Sequence, residues 1–227
     1  MNVIKVSGSG EIINNLKKFS LNEKGRLIDF RVGQIDEDIV EGSKQVFQRS
    51  EQNVFLGRDH SITLPILKSF VQFYRNAGVV IFDAHPDCSG VEDLVTGLIN
   101  QNIIRKENIV LVGIRNWTAE ELTYLKQKGI RYFTMSEISL EGKFEVSESV
   151  MANARRFDAL YISIDADVLD PAFVKVEVPE PGGLSVRELL FFLHRLKRLR
   201  NFRGADLSEF KQESALVGAK IVMELLG

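Results

Sequence analysis

Residues 79–90 read VVIFDAHPDCSG: four apolar residues, Val79 to Phe82, run straight into Asp83, His85 and Asp87, with one residue between each. An unbroken apolar run of this kind marks a strand covered on both faces, as in a parallel sheet. If the strand continues, its side chains alternate, and the two carboxylates and the imidazole fall on one face. Ionisable groups crowded there repel or desolvate one another unless a cation lies between them. The stretch therefore predicts a buried strand and a charged site at its end.

The rest of the chain repeats the alternation. β-rich runs at 26–32 (RLIDFRV), 53–57 (NVFLG), 108–114 (NIVLVGI), 130–135 (IRYFTM), 159–168 (ALYISIDADV) and 202–210 (FRGADLSEF) carry the strand pattern. Segments at 62–77, 118–129 and 185–199 between them carry helical periodicity. Strand and helix in turn predict an α/β domain with a mainly parallel sheet and helices on both faces. Ligands in such folds gather beyond the carboxyl ends of the strands. A chain of 227 residues buries one sizeable core, so 1–227 is expected to be a single domain.

Composition excludes several classes. With 44% hydrophobic and 26% charged residues the chain has the balance of a soluble globular protein. A formal charge of −2 and a pI near 6.0 argue against nucleic acid or an anionic bilayer as partner. Leucines at 190, 193, 196 and 199 recur at helical spacing through the basic run HRLKRLR (194–200), so it reads as the wet face of an amphipathic helix. The lone cysteine, Cys88, permits no intrachain disulfide and suggests a reducing compartment. No leader-like or membrane-length apolar run occurs, and a cytoplasmic location is expected.

Three strand ends carry metal-competent groups: Asp59 and His60 in FLGRDHSIT, Asp83, His85 and Asp87 in DAHPD, and Asp165, Asp167 and Asp170 in SIDADVLDP. Singly, each has a plain explanation: Asp59 could cap the next helix, a lone histidine is more often structural, and DVLDP could be a turn. Jointly those readings fail. Two histidines and four aspartates at one edge would leave like charges in a poorly hydrated cleft, at a cost of several kcal/mol per unpaired ion. Two divalent cations would neutralise the four carboxylates. An oxygen-rich set with some imidazole and no thiolate suits Mn²⁺ better than structural Zn²⁺. Cys88 should point away from the site and is not counted as a ligand. Two such ions roughly 3.5–4 Å apart generate a hydroxide nucleophile near neutral pH.

In order and spacing, GRDHS, DAHPD, SIDADVLDP and PEPGGLSVREL resemble the signature blocks of the ureohydrolases, the arginases, agmatinases and their relatives. The resemblance spans roughly residues 53–210. It implies a three-layer α/β/α fold of the arginase/deacetylase kind with a binuclear manganese site. It also implies that His60 and Asp87 serve one ion, His85 and Asp167 the other, with Asp83 and Asp165 bridging. Glu209, in GADLSEF, falls where the family grips the guanidinium group of its substrate, a planar cation suited to a carboxylate. Trimers or hexamers are a further implication. Gly182 and Gly183 are assigned a tight turn and no chemistry.

The chain also departs from the family. Arg58 stands where a second glycine usually precedes the Asp-His pair; it could pair with a nearby carboxylate or bind an anionic substrate tail. VKVEV (174–178) replaces a Gly/Thr-rich loop, and the segments before LIDFRV and after DAHPD are short. Relatives that split guanidinium carry a proton-shuttling histidine after DAHxD. Here His60 and His85 are taken as ligands and His194 lies in the amphipathic helix, so the loop CSGVEDLVTG offers only Glu92 and Asp93. Losing a general acid typically costs about 10²- to 10⁴-fold.

The leading expectation is a manganese-dependent hydrolase releasing urea from a small guanidino compound, with Asp87 orienting the nucleophile and Glu209 anchoring the substrate. The PEPGGL block suggests agmatine first. The alternatives are two-metal hydrolysis of an amide, amidine or formimino compound, and a metal-binding relative without turnover.

Overall fold

The computed structural model describes residues 2–6, 10–49 and 52–227. In chain order the elements are β1 (Asn2–Lys5), α1 (Gly10–Leu16), β2 (Arg31–Gln34), α2 (Ile39–Arg49), β3 (Asn53–Leu56), α3 (Thr63–Phe70) and β4 (Ala77–Phe82). There follow α4 (Leu94–Asn100), β5 (Ile109–Ile114), α5 (Ala119–Lys128), β6 (Arg131–Thr134), α6 (Met135–Glu141), α7 (Lys143–Ala154) and β7 (Ala159–Asp165). The last are α8 (Val186–Leu196), β8 (Phe202–Ser208) and α9 (Ala215–Leu226).

The strands form one sheet in the order β2-β1-β3-β8-β7-β4-β5-β6, and every pairing is parallel. Alternation along the strands divides the core in two. Val79 and Ile81 of β4, Leu111 of β5 and Tyr161 of β7 pack with α2, α3, α4 and α5 on one face. Val80, Phe82, Val112, Ile162 and Ile164 pack with α1, α7, α8 and α9 on the other. The expected three-layer arrangement is what forms, because β4, β5 and β7 are buried along their whole length. Parallel pairing places the carboxyl ends of four neighbours, β3, β8, β7 and β4, along one edge.

Local chemistry sets the helix limits. Thr118 and Glu121, Thr134 and Glu137, and Ser185 and Glu188 form reciprocal capping boxes that start α5, α6 and α8. Gly129 ends α5 in the left-handed region, φ 67°. Pro65 lies in the first turn of α3, where its missing N–H would have no intrahelical partner.

Two expectations shift. The run at 26–32 joins the sheet only from Arg31, because β2 is an edge strand with largely exposed side chains and no burial to fix its register. The helical pattern from residue 62 stops at Phe70, and turns follow. No helix among the described residues is long and apolar enough to cross a membrane.

Candidate metal centre

The central strand ends earlier than its pattern suggests. β4 stops at Phe82, so Asp83, His85 and Asp87 share a site through a loop and not through strand alternation. The reason lies in the loop's own polar groups: the Asp83 carboxylate accepts from His85 N at 2.7 Å, and Asp87 adopts a left-handed backbone, φ 47°. The loop stays docked to β5, since Ala84 O accepts from the amides of Arg115 (2.9 Å) and Asn116 (3.1 Å). Asp165 closes β7, and Asp167 follows in a short 3-10 turn whose amide donates to Asp165 at 2.9 Å. His60 opens another 3-10 turn just beyond β3.

These segments bring six candidate ligands together. His60 Nδ1 stands 3.2 Å from Asp83, 3.3 Å from Asp87 and 3.4 Å from Asp165, yet makes no directed hydrogen bond with any of them. His85 Nδ1 lies 2.7 Å from Asp167 and 3.7 Å from Asp83. Two donor sets result: His60, Asp83 and Asp165, and Asp83, His85 and Asp167. Asp83 belongs to both, as a bridging ligand would. Asp165 falls in the first set only, and Asp87 flanks that set through His60.

The electrostatics describe a site that takes up positive charge. Burial, with the charges of Asp87 and Asp167, pushes Asp83 up to about 6. Burial and the same kind of repulsion, from Asp83 and Asp167, hold Asp165 well above the carboxylate range. Burial alone would lower His60, but Asp83 and Asp87 raise it well above its ordinary value. The short contact to Asp167 pushes His85 up to about 11. An orphaned imidazole nitrogen among three carboxylate oxygens fits a divalent cation.

A supporting shell holds the donors in place. His60 Nε2 contacts Ser163 Oγ at 2.9 Å, Ser163 donates to buried Asp206 at 2.7 Å, and Thr63 Oγ1 lies 3.3 Å from the same serine. That chain fixes the ring so that Nδ1 faces the carboxylates. On the other side, Glu180 Oε1 is 3.6 Å from His85 Nε2 and accepts from Asn116 at 2.5 Å. Arg115 ties the loops together, donating to the carbonyls of Asp167 and Glu180, each at 2.6 Å, and to Pro181 at 3.2 Å. Gly113 lets them approach: at φ 101°, a Cβ there would meet Val168 Cγ2 at 2.5 Å.

The remaining sequence candidates divide clearly. Glu209 also has a left-handed backbone, φ 66°, pinned by its amide to Arg58 O at 3.1 Å. Asp87, Glu209 and Asn102 are the non-glycine residues with positive φ among the described residues. Such a conformation costs about 1–2 kcal/mol, and two of the three cases fall at this site. Burial raises the Glu209 carboxyl. Arg58 is exposed, and its charge reaches Glu177. Asp59 caps the His60 turn, and Asp170 accepts from Ala172 (2.9 Å) and Gly182 (2.8 Å), so both have the plain roles first considered. Cys88 is buried and faces Glu121 O, its thiol pushed up to about 12 by burial, as its exclusion from the ligands requires. His194 contacts Glu224 at 2.9 Å, outside the cluster.

Sequence reasoning missed Arg115, Asn116, Glu180, Ser163 and Asp206. The first two lie just past β5 in GIRN, where a charged residue directly after a buried strand was a usable signal.

The model of the arginase family matches residues 9–227. An arginase of Staphylococcus aureus (strain COL) is 32% identical over 224 residues, covering 86% of this chain and 72% of that protein. A formimidoylglutamase of Halalkalibacterium halodurans is 27% identical over 196 residues, covering 79% of this chain and 61% of that one. The crystal structure of formimidoylglutamase from Bacillus subtilis superimposes with a TM-score of 0.88 at 21% identity, covering 99% of this chain and 85% of that one.

Proposed function

The chain belongs to the arginase family and is a metal-dependent hydrolase of non-peptide C–N bonds, and from that premise we propose that it splits a small guanidino compound into urea and an amine at a two-metal centre. The pair of donor sets joined through Asp83 carries the reading. His60, Asp83, Asp87 and Asp165 would hold one ion, and His85, Asp83 and Asp167 the other. The oxygen-rich donors favour manganese. A pair of such ions would supply Lewis acidity and an activated water near neutral pH.

The chain's own residues do the rest. Asp87 orients the attacking water and accepts its proton. Glu209 anchors the guanidinium through paired N–H donors, which favours the carboxylate form that burial alone opposes. Asp93 is held low by the amide of Gly90 and the hydroxyl of Ser89, so it carries no proton to the leaving amine near neutrality. Glu92, the other carboxylate of that loop, lines the cleft beside His60 and Asp87. We assign the whole chain to one catalytic unit.

A second reading, cleavage of a formimino compound, has support in the formimidoylglutamase relative and in the absence of a further histidine. Agmatine, suggested by the PEPGGL block, remains one member of the substrate panel. Urea release by the manganese-loaded protein across guanidino compounds is the test. Urea that disappears in Asp87→Asn, by about 10²-fold or more, supports the reading. No urea from a protein holding two metals, with formamide and an amine released from a formimino compound, favours the second.

A further inference from the structure

A cleft of about 460 Å³ opens beside the donor sets, with His60 and Asp87 in its wall. Leu64 and Leu94 supply apolar wall, and Lys68 and Glu92 supply charge. Among the described residues neither Lys68 nor Glu92 makes an ion pair, with each other or with anything else. Asp93, also at the cleft, is occupied by Gly90 N at 2.6 Å and Ser89 Oγ at 2.9 Å.

Resting on the hydrolase reading above, we propose that this cleft takes the substrate's tail and that Lys68 selects a tail bearing a carboxylate. His60, Leu64 and Lys68 recur every four residues along one continuous helical run, a 3-10 turn leading into α3, so they share a face. Lys68 lies eight residues on, roughly 12 Å along the axis. Helical side chains lean toward the N-terminus, so its ammonium reaches back toward His60. The interval left is on the order of three or four methylenes, and Leu64, midway, and Leu94 line the cleft to cover them. Glu92 is placed for an α-ammonium. An ω-guanidino α-amino acid satisfies both charges, whereas a decarboxylated amine leaves Lys68 unmatched.

The test uses two amines that undergo no turnover, L-ornithine with a carboxylate and putrescine without one. Each is titrated calorimetrically into the manganese-loaded wild type, Lys68→Met and Lys68→Arg. The wild type should prefer ornithine by about tenfold, the scale of a partly exposed charge-assisted contact. Lys68→Met should lose that preference with putrescine binding unchanged, and Lys68→Arg should keep most of it. In urea release, Lys68→Met should raise KM for arginine about tenfold and leave kcat and the agmatine KM alone. No preference in the wild type, or one indifferent to Lys68→Met, overturns the proposal. If the preference depends on Lys68 but no guanidino compound yields urea, the subsite stands and the proposed reaction fails.

Discussion

Replacing Arg115 with methionine should loosen the candidate metal centre from behind, through carbonyls and not through any ligand side chain. The guanidinium donates to five carbonyls, at 2.6 Å for Asp167 and Glu180 and at 3.2, 3.3 and 3.4 Å for Pro181, Gly113 and Val168. Only the two short bonds are counted as strong. A hydrogen bond from a charged donor is worth about 1.5–3 kcal/mol, so the pair amounts to about 3–6 kcal/mol. Arg115 is half-buried, and water would restore part of the loss, leaving about 2–4 kcal/mol. For a domain of this length that corresponds to a melting temperature lower by roughly 5–15 °C. Because Asp167 is tied down by the same side chain, manganese affinity should fall about 10- to 100-fold. Arg115→Lys keeps the charge but cannot fork across two loops, so it should recover less than half of either loss. Scanning calorimetry of the chelated protein and manganese titration read the two effects. A melting temperature within about 2 °C of wild type, together with unchanged affinity, would refute the clamp.

Two other perturbations separate the metal centre from the scaffold. Saturating manganese, at about 100 times its dissociation constant, should stabilise the chelated protein by about 2.7 kcal/mol per site and raise its melting temperature by roughly 5–10 °C for each; a melting temperature indifferent to metal would contradict the assignment. Glu224 is fully buried in α9, where burial would raise its carboxyl but Lys220, the Glu23 amide and His194 outweigh it and hold it below the ordinary 4.5. A depressed carboxylate contributes stability that is full above the unfolded pKa and is lost as pH falls through the folded one. The stability gap between wild type and Glu224→Gln should therefore be flat above about pH 6 and shrink toward acid in denaturant titrations. A gap that grows as pH falls would show the sign to be wrong.

The sheet was legible where burial is complete. Val79–Phe82, Ile109–Ile114 and Ala159–Asp165 announce themselves because strands covered on both faces tolerate little but apolar residues. β1 escaped because four residues, NVIK, are too few to show a period. β2 was misplaced because an exposed edge imposes no pattern on its side chains. Residue type and spacing marked eight candidate groups at three strand ends, and the resemblance to the ureohydrolases narrowed them to six. The reason first given for their shared direction, strand alternation past Phe82, fails, since the loop gathers them through the Asp83 carboxylate and the left-handed Asp87. The roles within the supporting shell were illegible for a different reason, although the charge of Arg115 just past β5 was itself a signal. Ser163 and Asp206 meet only because β7 and β8 are neighbours in register, and Arg115 acts through carbonyls, which carry no side-chain signature.

The most direct measurement is the manganese content of the protein after equilibration and removal of free metal, by elemental analysis of wild type, His60→Asn and His85→Asn. Two ions per chain in the wild type and one in each variant are the expected result, since each histidine belongs to a different donor set joined through Asp83. A single ion in the wild type, lost equally in both variants, would contradict a paired site.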